Sequence, residues 1–394
     1  MRVLVLDGQE NQAVAAVRSL ARAGHTVLVG ENNGWSKAGW SRSCSETFRY
    51  PSPRQEPQAF LDCIRSIVSE HPGTLVMPMT EASTLPLSAS RERILAAGGK
   101  LVLPSHEDIL RAFDKDETTR VAAQLGIAVP KTRLVQTGMD PSAVLKEISF
   151  PLVLKPSSSE ESSAKAIRAT GRPRYARNEV EFQHAYRDLT SRSAAVLVQE
   201  YIEGDGAGYF ALMHQGELRV EFAHRRIRDV HPTGSGSAVR ISVTPDPQLR
   251  EASLAILRAL RWHGVAMIEF RVPPGKPPVF IEVNGRFWNS LPLPCFAGAD
   301  FPRLLAEMAE QGDIEPALSY RHGVRCRWFL GDFRHLLAVW RGAPKGFPGK
   351  YPKRLSTLLA VLRPVRGTYH DLFTWNDPLP EFGDWLYALQ RALK

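Results

Sequence analysis

The chain has 394 residues, which is long enough for about two or three domains with sizeable hydrophobic cores. Its hydrophobic content of 43% and charged content of 23% are ordinary for a globular protein, and no run of about 18 apolar residues predicts a membrane span. The 4 cysteines lack C-x-x-C spacing, which argues against a zinc site or a disulfide framework and is typical of a reducing cytoplasm.

The formal net charge of +9 is distributed unevenly along the chain. Residues 321–394 contain 13 Lys or Arg and 5 Asp or Glu, so the rest of the chain is close to neutral. This pattern indicates a basic C-terminal segment rather than a uniformly basic surface. The segment contains no recognisable nucleic-acid-binding module, and we expect no nucleic acid partner.

Residues 1–105 predict a small, open α/β domain. It starts with a β-α-β unit whose helix ends at Gly24. The unit lacks G-x-G-x-x-G, so it does not indicate dinucleotide binding. It begins directly on a strand, without the layout of a signal peptide, and we expect a cytoplasmic protein. The predicted strands are residues 2–6, 26–29, 74–78 and 100–103, and the predicted helices are residues 11–23, 57–70 and 84–97.

The next part of the chain mixes predicted helices and strands up to residue 261. Its first helix follows Ser105, a typical N-cap residue, and has acidic residues in its first turn. An apolar strand begins at Ala194, and a glycine-serine loop is predicted at residues 231–237. The other predicted strands are residues 131–135, 152–155, 208–213, 217–224 and 238–243, and the helices are residues 106–113, 116–125, 141–148, 177–190 and 247–261.

The strand at residues 152–155 ends on Lys155, a side chain that is costly to bury without a partner. A serine-rich stretch, residues 157–165, follows it directly. One interpretation of this stretch is a solvated loop. The other is a phosphate flap, in which backbone N–H groups and hydroxyls such as those of Ser158 and Ser159 cover a triphosphate.

Two further predicted strands, residues 265–272 and 279–284, flank a turn rich in proline. In a symmetric hairpin Glu269 lies opposite Glu282, and Asn284 shares their face because strand side chains alternate. Facing carboxylates repel each other unless a cation lies between them, and oxygen ligands suit Mg²⁺. The hairpin therefore predicts a magnesium–nucleotide site. The other face is predicted to enter a core through Ile268, Phe270, Ile281 and Val283.

Five short segments of the sequence are informative because of the order in which they occur along the chain. They are Asp114-Lys115, residues 150–156 (FPLVLKP), residues 199–204 (QEYIEG), Glu269 and residues 281–286 (IEVNGR). In this order they resemble the ATP-grasp superfamily, in the branch of carboxylate–amine ligases and the ATP-binding fold of biotin carboxylase and carbamoyl phosphate synthase. The resemblance covers about residues 1–310.

The resemblance implies a fold of the α/β and α+β classes in three parts. A Rossmann-like pre-ATP-grasp domain is expected at residues 1–105. A two-lobed ATP-grasp domain is expected at residues 106–315, with its small lobe at about residues 130–200. A basic, aromatic and mostly helical extension is expected at residues 316–394.

The resemblance also implies roles for individual residues. Phosphates of ATP are assigned to Lys115 and Lys155, and the ribose to either Glu203 or Asp205. Magnesium, or manganese, is assigned to Glu269, Glu282 and Asn284. The adenine is assigned to the segment Gln199, Glu200, Tyr201 and Ile202.

Catalytic contacts are predicted for Lys155 and for arginines near the proposed cleft. Arg286 is expected to face the acyl-phosphate or the carboxylate, as the resemblance implies. Two interpretations stay open for Arg225, Arg226 and Arg240. They are either charges on an exposed surface or contacts with phosphate or an acidic substrate, and Arg225 is the preferred candidate for such a contact. Glu81 follows a strand of the first domain, where open α/β sheets bind ligands, and is a candidate contact for the second substrate.

The predicted activity is an ATP-dependent ligase that activates a small-molecule carboxylate as an acyl-phosphate and joins it to an amine, releasing ADP and phosphate. Two alternatives stay open. One is a bicarbonate-dependent carboxylase-like enzyme, and the other is a nucleotide-binding protein that acts at a membrane surface or as the subunit of a complex. A homodimer is a further possibility.

The basic C-terminal segment has two interpretations. Residues 327–340 and 354–362 have amphipathic patterns, with lysines and arginines between them. They predict helices packed on the ATP-binding body. Alternatively, residues 327–366 contact an anionic membrane, whose interface suits tryptophan and basic side chains. Residues 371–380 resemble an aromatic docking segment.

Overall fold

The computed structural model describes residues 1–156, 160–162, 167–169 and 173–393. In this part of the chain the strands form three larger sheets and one two-stranded hairpin. Within it, no helix is both long and apolar enough to cross a membrane. The four cysteines all lie in this part and are free thiols, as their spacing predicts.

The first sheet is parallel and has the strand order β3-β2-β1-β4. Successive residues of its central strand face two separate cores, with Val3 and Val5 on one side and Leu4 on the other. A parallel sheet with helices packed against it is an open α/β arrangement. Its elements are β1 Arg2–Val5, α1 Asn11–Arg22, β2 Thr26–Glu31, β3 Glu46–Arg49, α2 Pro57–Glu70, β4 Leu75–Met77, α3 Glu81–Ala89 and α4 Arg91–Ala96.

Three details of this first body differ from the sequence prediction. The helix predicted at residues 84–97 is two helices, which meet at Ser90. The strand predicted at residues 100–103 reduces to one bridge between Lys100 and Leu75. Strand β3 was not predicted, because three of its four residues are exposed and the pattern lacks an apolar face.

The second sheet is antiparallel and has the order β5-β10-β6-β9. Helix α7 covers one of its faces through Phe182, Tyr186 and Leu189. The helix predicted at residues 141–148 is a short 3₁₀ helix, Pro141–Lys146. The elements are α5 His106–Phe113, α6 Lys115–Gln124, β5 Thr132–Gln136, β6 Leu152–Pro156, the hairpin β7 Glu160–Ser162 and β8 Ile167–Ala169, β9 Arg174–Ala176, α7 Glu179–Thr190 and β10 Ala195–Glu200.

The third sheet has seven strands in the order β15-β14-β11-β12-β13-β16-β17. Strand β12 continues to His231 and β13 begins at Ser235, so the loop predicted at residues 231–237 is only three residues long. The elements are β11 Asp205–His214, β12 Glu217–His231, β13 Ser235–Val243, α8 Pro247–Ala259, β14 Gly264–Val272, β15 Val279–Asn284, α9 Pro292–Ala297, α10 Phe301–Gln311, β16 Arg325–Arg327, α11 Phe329–Arg341, α12 Arg354–Leu362, β17 Thr368–His370 and α13 Leu379–Leu393.

The predicted C-terminal extension is only partly helical. Its strands β16 and β17 continue the seven-stranded sheet beyond β13, so the boundary predicted at residue 315 divides one sheet. Helix α11 packs on β12 and β13, and α12 packs on α11. The sequence pattern missed both strands because each is only three residues long.

Buried ion pairs attach the extension to the rest of the molecule. Asp371 binds Arg240 of β13 at 2.7 Å, and Asp384 of α13 binds Lys37 at 2.6 Å. Asp377 binds Arg18 of α1 at 2.8 Å. The segment predicted to dock, residues 371–380, therefore docks on both the first body and the seven-stranded sheet, mainly through aspartates rather than aromatic rings.

Candidate active site

The β14–β15 hairpin has the predicted register at its functional end. Glu269 pairs directly with Glu282, and Met267 pairs with Asn284. A bulge follows Glu269, so that Phe270 pairs with Phe280 and Ile281 is the additional residue. The prediction that Ile281 faces the core is therefore wrong, and Phe280 takes its place there with no measurable exposure.

Each facing carboxylate has a cation beside it. Arg226 of β12 binds Glu269 at 2.9 Å, and Lys115 at the start of α6 lies 3.5 Å from Glu282. Burial acts to raise the pKa of the Glu282 carboxyl, but the charges of Lys115 and Lys155 outweigh it and hold that pKa below its ordinary value. The repulsion expected between the two carboxylates is thus offset by cations that converge from separate elements.

Lys155 is buried near the end of β6, with a relative exposure of 6%. Burial lowers its pKa to about 8, and the neighbouring charge of Lys115 acts in the same direction. Glu282 and Glu269 raise the pKa, but not enough to restore the ordinary value. Two lysines that repel each other beside two carboxylates form a site that favours an additional anion such as a phosphate.

Arg286 joins the hairpin to the first body. Its Nη2 donates to Asn284 Oδ1 at 3.2 Å, and its Nε lies 3.7 Å from Glu81 Oε1. Glu81 begins α3, and Asp7 holds the turn before that helix by accepting from the backbone N–H groups of Met79 and Thr80. The structure therefore brings Glu81 and Arg286 together where the first body meets the large sheet.

The interlobe segment, residues 199–204, connects β10 of the small sheet to β11 of the large one. Gln199 is buried and donates from Nε2 to Thr132 Oγ1 at 2.8 Å. The backbone N–H groups of Glu200 and Tyr201 donate to Lys131 and Pro151, each at 3.0 Å. Ile202 is half-buried, whereas Glu203 and Asp205 are both exposed, so both stay available as candidate ribose contacts.

Not all predicted residues join this cluster. Arg225 is exposed, and by strand alternation it lies on the face opposite to Arg226 and Glu269. Arg240 is fully buried and binds Asp371, so its role is structural. Ser158 and Ser159 lie outside the described residues.

Sequence reasoning named Arg226 as a candidate but preferred Arg225, and the structure places Arg226 beside Glu269. Its guanidinium reaches Glu269 across β11, where Gly206 leaves the space it needs. A Cβ atom at Gly206 would lie 2.9 Å from Arg226 Nη1. The available signal was therefore a glycine inside a strand, which often marks the close approach of another group.

The donor set fits a hard cation. Glu269, Glu282 and Asn284 supply oxygen atoms from one face of the hairpin, and Mg²⁺ prefers such ligands together with water and phosphate oxygens. Among the described residues, no group of three His, Cys, Asp or Glu side chains is placed to hold a metal ion.

No protein-family model matches the chain. Among curated proteins it is 25% identical over 261 residues to the carbamoyl phosphate synthase large chain of Myxococcus xanthus (strain DK1622), a match that covers 62% of this chain and 23% of the relative. It is 29% identical over 218 residues to the N-terminal section of the corresponding chain of Methanopyrus kandleri, covering 52% of this chain and 37% of the relative. The chain thus matches about a quarter to a third of each relative's length.

Solved structures with the same architecture cover more of the chain. An L-amino acid ligase from Bacillus licheniformis superposes with a TM-score of 0.62 at 18% identity, covering 80% of this chain and 75% of the ligase. The biotin carboxylase domain of Hydrogenobacter thermophilus 2-oxoglutarate carboxylase, a dimer in complex with magnesium ADP and bicarbonate, has a TM-score of 0.63 at 16% identity and covers 82% and 73%. This chain shares the fold of these structures, which is the ATP-grasp fold that its motifs predict.

Proposed function

We propose that this protein is an ATP-dependent ligase that joins a small-molecule carboxylate to an amine. The observation that carries the proposal is the convergence of Lys115, Lys155, Arg226 and Arg286 on the facing pair Glu269 and Glu282. These residues come from both lobes and supply cations for phosphates and oxygen ligands for magnesium. The ligase and carboxylase activities of the structural neighbours agree with it.

Each proposed group has a defined task. Lys115 and Lys155 would bind the phosphates of ATP, and the interlobe segment would bind the adenine. Glu269, Glu282 and Asn284 would hold magnesium, which neutralises phosphate charge when bound. Arg286 would hold the substrate carboxylate, since an arginine fork matches a carboxylate in shape and charge.

The reaction then follows from charge. A carboxylate oxygen attacks the γ-phosphorus, the bond to the β-phosphate oxygen breaks, and ADP leaves. The acyl-phosphate so formed has a good leaving group, which the carboxylate lacked. An amine attacks its carbonyl carbon, phosphate departs, and the nitrogen loses a proton. Lysines near the transferring group act by positioning and by stabilising charge.

A carboxylase-like enzyme is the second candidate. The neighbour from Hydrogenobacter thermophilus is described in complex with bicarbonate, which is also a carboxylate-like anion that Arg286 could hold. A screen for ADP release with Mg²⁺, using pools of amino acids, amino sugars and uronic acids with and without bicarbonate, separates the two. Turnover that requires bicarbonate would favour the carboxylase, and release of AMP in place of ADP would contradict both.

Affinity for ADP is expected to fall as the pH rises through about 8. Phosphate binding needs the charged form of Lys155, whose pKa is lowered to about 8. Titration calorimetry with magnesium ADP between about pH 6.5 and 9.5 measures this, and Lys155→Arg, which stays charged, should remove the inflection. An affinity independent of pH in the wild type would contradict the assignment of Lys155.

The same shift has a consequence for stability. The unfolded chain holds the Lys155 proton up to the ordinary lysine pKa of 10.5, whereas the folded chain loses it near 8. Because the folded state binds this proton less tightly, its contribution makes the protein more stable as the pH rises between these two values. Below the lower value the contribution is constant.

Contact with an anionic membrane through residues 327–366 is a separate proposal. Helix α12 exposes Leu355, Leu359 and Leu362 by 68%, 61% and 68%, at helical spacing. Residues 333–370 contain arginines and lysines but no Asp or Glu. Sedimentation with vesicles rich in phosphatidylserine tests this proposal. Binding that is lost when the three leucines are replaced by serine supports it. If no more protein sediments with these vesicles than with neutral ones, the proposal is contradicted. A homodimer, predicted from the sequence, also stays a proposal.

A further inference from the structure

A segment of the C-terminal extension packs on the interlobe segment. Residues 342–353 connect α11 to α12, and Phe347 near their middle is buried with a relative exposure of 8%. Its ring centroid lies 5.2 Å from that of Tyr175 in β9 and 6.1 Å from that of Tyr201. The two tyrosines lie 6.2 Å apart, so the three rings form one aromatic cluster. Such edge-to-face contacts stabilise beyond simple burial.

The backbone of this segment is shaped for close contact. Gly346 has a φ of +74°, and a Cβ atom there would lie 2.5 Å from the carbonyl oxygen of Tyr175. A Cβ atom at Gly349 would lie 2.5 Å from Tyr201 Oη. Tyr351 then donates to the carbonyl of Ala338 in α11 at 2.9 Å, which holds the end of the segment on the extension. Glycine is thus needed where the segment touches each tyrosine.

Backbone and side-chain hydrogen bonds also hold the interlobe segment, and those of Gln199 and Glu200 fix its first two residues within β10. Tyr201 donates its backbone N–H to Pro151, and Arg271 donates to the carbonyl of Gly204 at 3.1 Å. The same arginine binds the carbonyl of Gly234 at 2.9 Å. These bonds fix the backbone, whereas the Tyr201 ring is contacted by Phe347 of the extension and by Tyr175.

We propose that Phe347 is a positioning residue for adenine nucleotides: it orders Tyr201 and the interlobe segment from the C-terminal extension. The inference rests on the proposed nucleotide function of that segment. A segment that is ordered before binding does not lose further conformational entropy when the nucleotide arrives. The extension would then set nucleotide affinity without touching the transferred phosphate.

Phe347→Ala is expected to weaken magnesium ADP binding about tenfold, which corresponds to about 1.4 kcal/mol. The KM for ATP should rise by a similar factor while kcat changes little, because the phosphate-binding residues are untouched. Phe347→Leu, which keeps apolar bulk, should have an intermediate affinity. Calorimetry with magnesium ADP, steady-state kinetics and the unfolding midpoint are measured for every variant.

A glycine pair provides a control that does not remove the ring. Gly346→Ala introduces both backbone strain and the clash with Tyr175, whereas Gly367→Ala introduces similar strain, at a φ of +71°, with nothing within 4 Å. Only Gly346→Ala is expected to weaken ADP binding. This comparison decides the question if Phe347→Ala fails to fold.

The outcomes separate this inference from the proposed function. If the wild type binds neither ADP nor ATP, the proposed nucleotide function fails. If the wild type binds ADP and the Phe347→Ala and Gly346→Ala variants bind it equally well, the inference is overturned even where their unfolding midpoints fall. Lower affinity in both variants, with Gly367→Ala unchanged, supports it.

Discussion

Glu282→Gln is expected to reduce ATP turnover by about a hundredfold or more while the protein still folds. Glutamine keeps the shape of the side chain but loses the charge that would hold magnesium and balance Lys115 and Lys155. Asn284, which donates to Glu282 Oε1 at 3.4 Å, also loses a charged acceptor. The effect should therefore appear in kcat, where charge develops on the transferred phosphoryl group, and not in substrate binding alone.

Stability should change only modestly in this variant. Removing Glu282 relieves its repulsion with Glu269, but it also removes the partner that Lys115 approaches at 3.5 Å. Because the folded state lowers the pKa of Glu282, its ionised form is favoured by folding, and we expect a small loss of stability near neutral pH. This stabilisation is fully present at pH values above the ordinary carboxyl pKa. It is lost as the pH falls through the lower pKa that Glu282 has in the folded state.

Glu217→Gln is the matched control, since Glu217 is an exposed glutamate at the start of β12 in the same sheet. It should leave turnover and stability unchanged. ADP release and the unfolding midpoint are measured for both variants. Full activity in Glu282→Gln would contradict the magnesium assignment, and collapse of its fold would show that the facing pair is structural.

Asp371→Ala is expected to destabilise the protein by about 3–5 kcal/mol. Arg240 Nη2 donates to both carboxylate oxygens of Asp371 at 2.7 Å, and both side chains are buried. Without Asp371 the guanidinium stays buried inside the sheet with its charge uncompensated. Cys326 Sγ, which donates to the same carboxylate at 3.0 Å, loses its acceptor as well.

An exposed arginine–aspartate pair gives the comparison. Arg219 binds Asp313 through two hydrogen bonds of 2.7 and 2.6 Å, but the Asp313 side chain is 43% exposed. Asp313→Ala should cost about 0.2–1 kcal/mol, because water and salt screen surface pairs. Equilibrium unfolding in urea measures both variants, and equal losses would contradict a special role for the buried pair.

The consequence of losing Asp371 reaches the candidate active site. Asp371 belongs to the extension and Arg240 to β13, so their pair fixes the extension on the sheet that carries Glu269 and Glu282. The same extension carries Phe347, which packs on Tyr201. A destabilised Asp371→Ala protein is therefore also expected to bind nucleotide less tightly.

Local patterns in the sequence were sufficient to predict much of the candidate site. The facing pair Glu269 and Glu282 was predicted from strand alternation and a symmetric turn, which are short-range properties, whereas in the structure a bulge between this pair and the turn sets its register. Lys155 at the end of an apolar strand stands out because an unpaired charge is costly to bury. The order of the motifs along the chain predicted the ATP-grasp fold. That order can be compared with a family pattern without knowing which residues are in contact.

Contacts between distant segments were decided by the tertiary structure. Arg226 and Arg225 are adjacent in sequence, and only the register of β12 shows which of them faces Glu269. The bulge that excludes Ile281 from the core, and the two short strands that join the extension to the large sheet, also depend on pairing partners. Such choices are made by packing and hydrogen bonding across the chain, which leave no periodic trace in the sequence.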